Sequence, residues 1–221
     1  MADTHGKLVE SICSFCDIGQ FEERLIAKVD GFYVIATLGQ ITDGGHVLLL
    51  PIEHTLCMGA FTKEQVARGL KLSQKICRVL TREYKLRRFR ELLYPVTIFE
   101  HGIVGQIVKH AHLHFLPAIV NLTPRILNDF PGSIVERIWY VGQLQNLYTG
   151  DPRPYLFWAT GQSRDTKERV CWNPPAPSQY LRIIVAGAIG RSERADWRAM
   201  DRELDRHLWS ETVRRLKPYF V

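Results

Sequence analysis

Residues 110–116 read His110-Ala-His112-Leu-His114-Phe-Leu116, and histidine alternates with apolar residues along this stretch. Successive side chains of a β-strand point to opposite faces. The three imidazoles should therefore share one face, and the apolar residues between them should point into a core. One buried histidine is common in protein cores, but a row of three brings no packing advantage. The stretch predicts a strand over about 107–117 that presents one face to chemistry.

The sequence before this strand predicts a largely antiparallel sheet with a helix on one face. Asp30-Gly31 stands between two β-rich runs, which is a strong signal for a hairpin. Thr62 and Gln65 have the spacing of a capping box, and a helix with one apolar face should follow over about 62–84. Strands are expected at about 22–29, 32–38, 46–52, 94–100 and 107–117. Because hairpins outnumber crossover connections, we expect an α+β fold with a mainly antiparallel five-stranded sheet covered by the long helix.

The second half of the chain gives weaker signals. Strands are expected at about 133–140 and 154–159, and a last helix at about 196–216. The proline-rich stretch 173–177 precedes Ser178, which should cap a helix that ends near residue 188. We therefore expect one domain over 1–120 and a C-terminal α/β extension over 121–221 that packs on it.

The composition is that of a globular protein. Of the 221 residues, 46% are hydrophobic and 24% are charged, which excludes a wholly disordered chain. The longest apolar stretches are too short to cross a bilayer, and residues 1–14 lack the apolar run of a secretory signal. Five scattered cysteines argue against a disulfide framework. A cytoplasmic protein with no membrane partner is expected.

The charge balance bears on the kind of ligand. A net charge of +6 favours anionic ligands. The C-terminal half is mildly basic, and almost all of its cations are arginines. It has no dense Lys/Arg run with interleaved aromatic residues, which argues against nucleic acid as a partner.

Cys13 and Cys16 form a closely spaced pair near the N-terminus. Such a pair suits a zinc knuckle, a redox dithiol or two small hydrophobic side chains. Zinc prefers four thiolate and imidazole ligands, and His54 with one of the alternating histidines could complete the set. No thioredoxin-like context surrounds the pair, which weakens the redox interpretation. The residues alone leave these alternatives open.

Several motifs occur in a fixed order around the alternating histidines. They are Cys13-Ser-Phe-Cys16, Gly45-His46-Val-Leu-Leu-Leu-Pro51 with His54 after it, and Gly105-Gln106. Over about residues 10–118, this ordered set resembles the histidine-triad (HIT) superfamily of nucleotide hydrolases and transferases. Pro177-Ser-Gln-Tyr-Leu-Arg182 and Asp196-Trp-Arg198 are similar to features of a bacterial branch of HIT-like proteins with a C-terminal extension. The resemblance implies a HIT-like fold and makes a homodimer one option for the assembly.

The resemblance also implies roles for individual residues. His112 would be the nucleophile that attacks an α-phosphorus and carries the nucleotide as a phosphoramidate. His114 would donate to the phosphate oxygens, and Gln106 would lie near the leaving group or the acceptor. Glu100 would lie close to the phosphates. His46 would support the substrate site from the neighbouring strand, and a purely structural role for it is an equal alternative.

A structural Zn²⁺ site in the N-terminal domain is implied as well, and it would pin the N-terminal segment beside the catalytic strand. Its ligands would be Cys13, Cys16, His54 and His110. One position departs from the family pattern. Leu38 stands eight residues before His46, where many members carry an Asp or Asn for the ribose hydroxyls. The resemblance therefore supports phosphoryl chemistry more strongly than nucleoside recognition.

The leading hypothesis is an enzyme that cleaves or transfers a nucleoside monophosphate through covalent nucleotidyl-His112. Its substrate would be a nucleotide conjugate, such as a dinucleoside polyphosphate, a phosphoramidate or a nucleotidylated metabolite. The alternatives are a non-catalytic, zinc-stabilised nucleotide-binding module and an enzyme that processes nucleic-acid ends. Arg182 or Arg198 could reach a polyphosphate, but arginines on a solvated helix face are the favoured interpretation of both.

Overall fold

The structure is a computed structural model that describes residues 13–86, 95–138, 141–160 and 168–221. Residues 1–14 were expected to lack a secretory signal. Of these, 1–12 lie outside the described residues. So do residue 94 of one predicted strand and residues 139–140 of another. Among the described helices, none combines the length and the apolar character that crossing a membrane requires.

Strands and helices are mixed along the chain, as expected for an α+β fold. The strands are β1 (Leu25–Val29), β2 (Phe32–Ala36), β3 (Val47–Pro51), β4 (Thr97–Gly102), β5 (Leu113–Leu116), β6 (Ile134–Ile138), β7 (Tyr155–Thr160) and β8 (Glu168–Trp172). The helices are α1 (Lys63–Glu83), α2 (Thr123–Asp129), α3 (Val141–Gly150), α4 (Tyr180–Ala188) and α5 (Arg202–Leu216).

All eight described strands belong to one sheet, in the order β1-β2-β3-β5-β4-β7-β8-β6. Every pair of neighbours in it is antiparallel. The five predicted strands of the first half are β1 to β5, and they lie side by side. The three strands of the second half continue the sheet through the pairing of β4 with β7, which runs from Thr97↔Thr160 to Gly102↔Tyr155. Main-chain hydrogen bonds therefore join the two halves. The division at residue 120 stays a prediction.

Local sequence signals account for the first half of the fold. Asp30 and Gly31 both have positive φ, 51° and 82°, which is the geometry of a tight hairpin turn, and Val29 pairs with Phe32 beside it. Helix α1 begins after Thr62, whose side chain accepts from the Gln65 backbone while Gln65 bonds back to the Thr62 N–H. The hairpin, the helix and its capping box are therefore confirmed.

The histidine strand is shorter than predicted, because β5 begins only at Leu113. Its pairing with β3 extends to Leu49↔Leu113, and the next position on β3 that could pair is Pro51. Proline has no N–H to donate, and the Pro51 carbonyl accepts from His110 Nε2 at 2.9 Å. The ladder therefore ends before His110 and His112 are reached. His110 lies in a bend, and His112 lies in irregular backbone just before the strand.

Predictions for the second half were less accurate. Strands β6 and β7 and helices α4 and α5 were expected, whereas α2, α3 and β8 were not. Ser178 does not cap α4: the cap is Gln179, in the left-handed region at φ 62°, and its N–H donates to Gly105 O at 2.9 Å. Helix α5 begins six residues later than predicted, after Asp201, whose carboxylate accepts from Leu204 N.

The sheet separates two different environments. One face packs under α1 in a large apolar core that includes Val47, Ile98 and Phe115. On the other face, Leu48, His114 and Phe99 lie opposite one another on β3, β5 and β4. Helices α2 and α4 cover the part of this second face beyond β4. The histidine face is therefore the face that the C-terminal region reaches.

A buried carboxyl group on the α1 face links the two halves. Glu100 of β4 is fully buried; its oxygens accept from Met58 N at 2.7 Å and from the Tyr155 hydroxyl of β7 at 2.6 Å. Burial raises the pKa of Glu100 to about 7, against an ordinary value of 4.5. The carboxyl group of Glu100 therefore binds its proton more tightly in the folded state than in the unfolded chain. This difference in proton binding adds to the free energy of unfolding. Its contribution is complete below about pH 4.5 and is lost as the pH rises to about 7.

Replacement of Glu100 by Gln should remove this pH dependence, since the amide does not titrate. Its oxygen can accept from Met58 N, and its nitrogen can donate to the Tyr155 hydroxyl oxygen. We expect the free energy of unfolding of the Glu100→Gln variant, relative to the parent, to rise by about 3 kcal/mol between pH 4.5 and pH 8. Denaturant titrations across that range measure the difference. Glu168, whose pKa burial also raises to about 7, is present in both proteins and cancels. Glu23→Gln, at an exposed position, is the control, and a constant difference for Glu100→Gln would contradict the account.

Candidate functional site

Four predicted metal ligands converge beside the start of β5. The ligand atoms of Cys13, Cys16, His54 and His110 all lie within 4.8 Å of one another. Cys16 Sγ is 3.3 Å from His54 Nδ1 and 3.5 Å from His110 Nδ1, and Cys13 Sγ is 3.7 Å from His110 Nδ1. Sulfur and nitrogen ligands around one tetrahedral zinc ion would be about 3.5 Å apart. The cluster has the spacing of a four-coordinate site and could hold a metal ion.

His110 is oriented for this purpose by its other ring nitrogen. Its Nε2 donates to Pro51 O, so the proton is on Nε2 and Nδ1 keeps a lone pair toward the cysteines. The turn that carries the cysteines is closed by a hydrogen bond from Cys16 N to Cys13 O at 2.8 Å. Phe15, between the cysteines, packs edge-on against the rings of His110 and His112. The N-terminal turn is therefore fixed against the histidine face.

His112 lies in the wall of a cavity of about 270 Å³ and is 9% exposed. Its Nδ1 donates to the carbonyl oxygen of His110 at 2.7 Å. The carbonyl can only accept, so the proton is on Nδ1 and Nε2 carries the lone pair. Burial lowers the pKa of His112 to about 4, which keeps the ring neutral near pH 7. A neutral imidazole with a free Nε2 is the form that can act as a nucleophile.

His114 lines the same cavity, and its ring is fixed by contacts with His46 and Phe99. Its Nδ1 is 2.9 Å from His46 Nε2, and its ring stacks on Phe99 with centroids 4.3 Å apart. His46 is fully buried and does not line the cavity. The structure places His46 behind the cavity wall in contact with His114, and its role in substrate binding stays a prediction. Burial lowers the pKa of both rings well below the usual value.

Gln106 also lines the cavity, and its amide is fully oriented. Nε2 donates to Leu56 O at 2.9 Å and to His110 O at 3.0 Å. Both partners are carbonyls, so Oε1 is the other amide atom, and it is buried without a hydrogen-bond partner in the described part of the chain. Oε1 is therefore an acceptor without a protein partner among the described residues, in the wall of the cavity that Gln106 lines.

Glu100 is not brought into this cavity, contrary to the sequence prediction. Phe99 and His101, its neighbours on β4, point to the histidine face. Alternation along the strand turns Glu100 to the α1 face, where Met58 and Tyr155 bind its carboxyl group. A charged carboxylate beside substrate phosphates would be unfavourable. The alternation of the strand turns the Glu100 carboxyl group away from the cavity.

Several cavity residues were missed by the sequence analysis. His101 contributes a fourth imidazole: its Nε2 accepts from Leu181 N of α4 at 3.0 Å, and burial lowers its pKa to about 3. Gln179 and Trp197 come from the C-terminal region, as does Arg182, which the sequence had offered as a possible polyphosphate contact. The two-residue alternation from Phe99 could have suggested His101, but no local signal places residues of the C-terminal region across the cavity.

Arg182 also corrects an interpretation made from the sequence. It is 4% exposed, so it is not a solvated arginine on a helix face. Arg198 is exposed, but it lies in a turn before α5 and not on a helix, and its guanidinium lies over the ring of its neighbour Trp197. Leu38, at the position of the departure from the family pattern, lines the cavity together with Arg182.

Comparison with known proteins gives three findings. The family model "HIT domain" matches residues 20–119. "Zinc finger CCCH domain-containing protein 59" of Oryza sativa subsp. japonica is 24% identical over 205 residues, which cover 86% of this chain. The chain spans only 31% of that rice protein. A Hit-like protein involved in cell-cycle regulation, from Bartonella henselae, is 18% identical with a TM-score of 0.37, over 43% of this chain and 65% of that one.

The matched segment contains the predicted histidines, Gln106 and the strands that position them. The HIT family is nucleotide-related and includes hydrolases and transferases. The bacterial branch named from the C-terminal motifs stays a prediction, and the relative that also covers the C-terminal half is a plant protein. Residues 20–119 match the HIT domain, and this match supports membership of the histidine-triad superfamily for the segment that carries the histidines.

Proposed function

We propose that the protein is a nucleotide hydrolase or nucleotidyltransferase that acts at the α-phosphate of a nucleotide conjugate through covalent nucleotidyl-His112. The observation that carries the proposal is the state of His112. Its Nδ1 donates to the His110 carbonyl, and the ring, neutral through burial, lines a cavity of about 270 Å³. The volume is close to the lower end of the range for small-molecule sites.

The reaction has two displacements at phosphorus. Nε2 of His112 attacks the α-phosphorus, an N–P bond forms, and the bond to the leaving group breaks with its electron pair going to the leaving group. Water or another acceptor then attacks the phosphorus. The N–P bond breaks, its electron pair returns to Nε2, and the proton of the acceptor passes to the leaving group or to solvent. The hydrogen bond from Nδ1 to His110 O strengthens as charge develops on the ring.

His114 and Gln106 would act on the phosphate and the exchanging groups. Ile41 N lies 3.5 Å from Nδ1 of His46, and we place the His46 proton on Nε2, from which it would donate to His114 Nδ1. His114 then keeps a proton on Nε2 and donates it to a phosphate oxygen. The free Oε1 of Gln106 accepts from the attacking water or the protonated leaving group. Neutral donors here add no charge to the empty site, and their hydrogen bonds strengthen as the phosphate gains negative charge.

We propose in addition that the Cys13, Cys16, His54 and His110 cluster holds a structural Zn²⁺. Two thiolates and two imidazoles form a four-ligand set that zinc prefers, and all four positions would be filled by protein. The ion would then have no position for substrate. It would tie the N-terminal turn to His110, whose carbonyl orients His112 and Gln106.

Loss of the nucleophile should stop turnover without preventing binding. We expect His112→Asn to lower kcat by at least about 10³-fold on a dinucleoside polyphosphate or a nucleoside phosphoramidate. Nucleotide affinity, measured by calorimetry, should change by no more than a few fold. Intact mass of the parent protein, quenched during turnover, should show a nucleotidyl adduct that is stable to base and labile to acid.

His207→Asn is the matched control, because His207 is exposed on α5 and does not line the cavity. It should keep the parental rate and form the adduct. A His112→Asn protein that turns over at the parental rate would overturn the covalent route. A parent protein that binds nucleotides but never turns them over would indicate a binding module.

Metal analysis tests the zinc site. The purified parent should contain about one zinc per chain, and Cys13→Ser should lose most of it together with thermal stability, because the ligand set is broken. Cys171→Ala removes a buried cysteine outside the cluster and should retain the zinc. Parent protein without zinc, or equal zinc in Cys13→Ser and the parent, would contradict the assignment.

A further inference from the structure

Two buried arginines line the cavity in addition to the histidines. Arg24 precedes β1 and Arg182 lies in α4; they are 9% and 4% exposed. Arg24 donates to Ala36 O at 2.9 Å and to Gln20 O at 3.3 Å. The two guanidinium groups are therefore fixed from separate parts of the chain, one from each half.

Main-chain carbonyls hold Arg182 in place. Its Nη2 donates to Gly39 O at 2.8 Å and to Arg194 O at 3.4 Å, and its Nε donates to Ala195 O at 3.4 Å. Within the part of the chain that the structure describes, Nη1 has no hydrogen-bond partner. Carbonyls orient a guanidinium but do not neutralise its charge. One edge of Arg182 is therefore left for a ligand in the cavity that it lines.

The charge around the cavity is not balanced by the protein. Asp205 of α5 is the buried acid that acts on both Arg24 and Arg182, and the exposed Asp196 acts on Arg182 as well. The oxygens of Asp205 accept from the backbone N–H groups of Gly39 and Gln40, and it forms no ion pair with either arginine among the described residues. Two buried cations thus stand against one buried carboxylate. A buried charge without a partner is costly, and an anionic ligand would supply the partner.

The arginines and the histidines occupy adjacent parts of one cavity. Arg24 and Arg182 both bind carbonyls of the segment 36–39 after β2, and Thr37 and Leu38 of this segment line the cavity. The positive charge of Arg182 contributes to the lowered pKa of His112 and His114. The guanidinium is therefore close to the imidazoles without forming a hydrogen bond to them in the described structure.

We propose that Arg24 and Arg182 form a second anion subsite, which binds a phosphate group of the ligand other than the one that His112 attacks. The proposal rests on the proposed function and narrows its substrate class to nucleotides that carry at least two phosphate groups. The second phosphate could belong to a polyphosphate chain or be attached to the sugar. A planar guanidinium matches phosphate oxygens with paired donors in either case. Through Arg182, this subsite gives the C-terminal region a direct part in substrate selection.

Calorimetry with three nucleotides tests the subsite. The probes are AMP with one phosphate, ADP with a second phosphate on the chain, and adenosine 3′,5′-bisphosphate with a second phosphate on the sugar. The parent should bind one of the two-phosphate probes about 10- to 100-fold more tightly than AMP. Which probe gains affinity identifies the source of the second phosphate. Inorganic pyrophosphate serves as a probe without a nucleoside.

Arg182→Gln should reduce the gain in affinity of the two-phosphate probe over AMP to about twofold or less. Arg24→Gln should also reduce this gain. Arg182→Lys should keep part of it, because the charge remains. Arg206→Gln, at an exposed arginine of α5 that does not line the cavity, is the matched control and should keep the full gain. Thermal melts confirm that each variant is folded. If Arg182→Gln does not fold, the gain in the parent must still fall steeply between low and high salt.

The outcomes separate this proposal from the proposed function. Equal affinity for AMP and both two-phosphate probes in the parent, or an unchanged gain in folded Arg182→Gln, overturns the subsite, even if turnover still depends on His112. Binding of pyrophosphate that depends on Arg182, without nucleotide binding or turnover, supports the subsite and overturns the proposed function. No binding of any probe overturns both.

Discussion

The carbonyl group of His110 is the point on which the arrangement of the site depends. It accepts from Nδ1 of His112 at 2.7 Å and from Nε2 of Gln106 at 3.0 Å, and so orients two of the groups that line the cavity. The side chain of the same residue donates to Pro51 O and presents Nδ1 to Cys13 and Cys16. One residue thus connects the candidate metal cluster to the candidate nucleophile, without any need for the metal to touch substrate.

The order of strands in the sheet explains why the candidate site lies between the two halves of the chain. Pro51 ends the β3–β5 ladder, which leaves His110 and His112 outside the strand, where their polar groups can bind partners other than a strand. Strand β4 lies between β5 and β7, so the C-terminal strands continue the sheet and α4 reaches the histidine face. A cavity lined by residues from both halves is the consequence.

The features that the sequence predicted depend on short-range patterns. The Asp30-Gly31 turn and the Thr62 capping box each involve a few neighbouring residues whose conformational preferences are strong. The histidine alternation and the Cys13/Cys16 pair were visible for the same reason, whereas the full ligand set with His54 and His110 followed only from the family resemblance. Glu100 was misplaced because its face depends on the register of β4. Arg182 was misjudged because its burial depends on contacts with Gly39, which is 143 residues away in the chain.

The central claim is that His112 is neutral, with its proton on Nδ1 and its lone pair on Nε2. Nitrogen-15 NMR of the histidine rings, assigned by comparison with His112→Asn, measures this directly. Near pH 7, the account predicts a protonated, pyrrole-type Nδ1 and an unprotonated, pyridine-type Nε2 for His112. A ring protonated on both nitrogens, or one that carries its proton on Nε2, would contradict it.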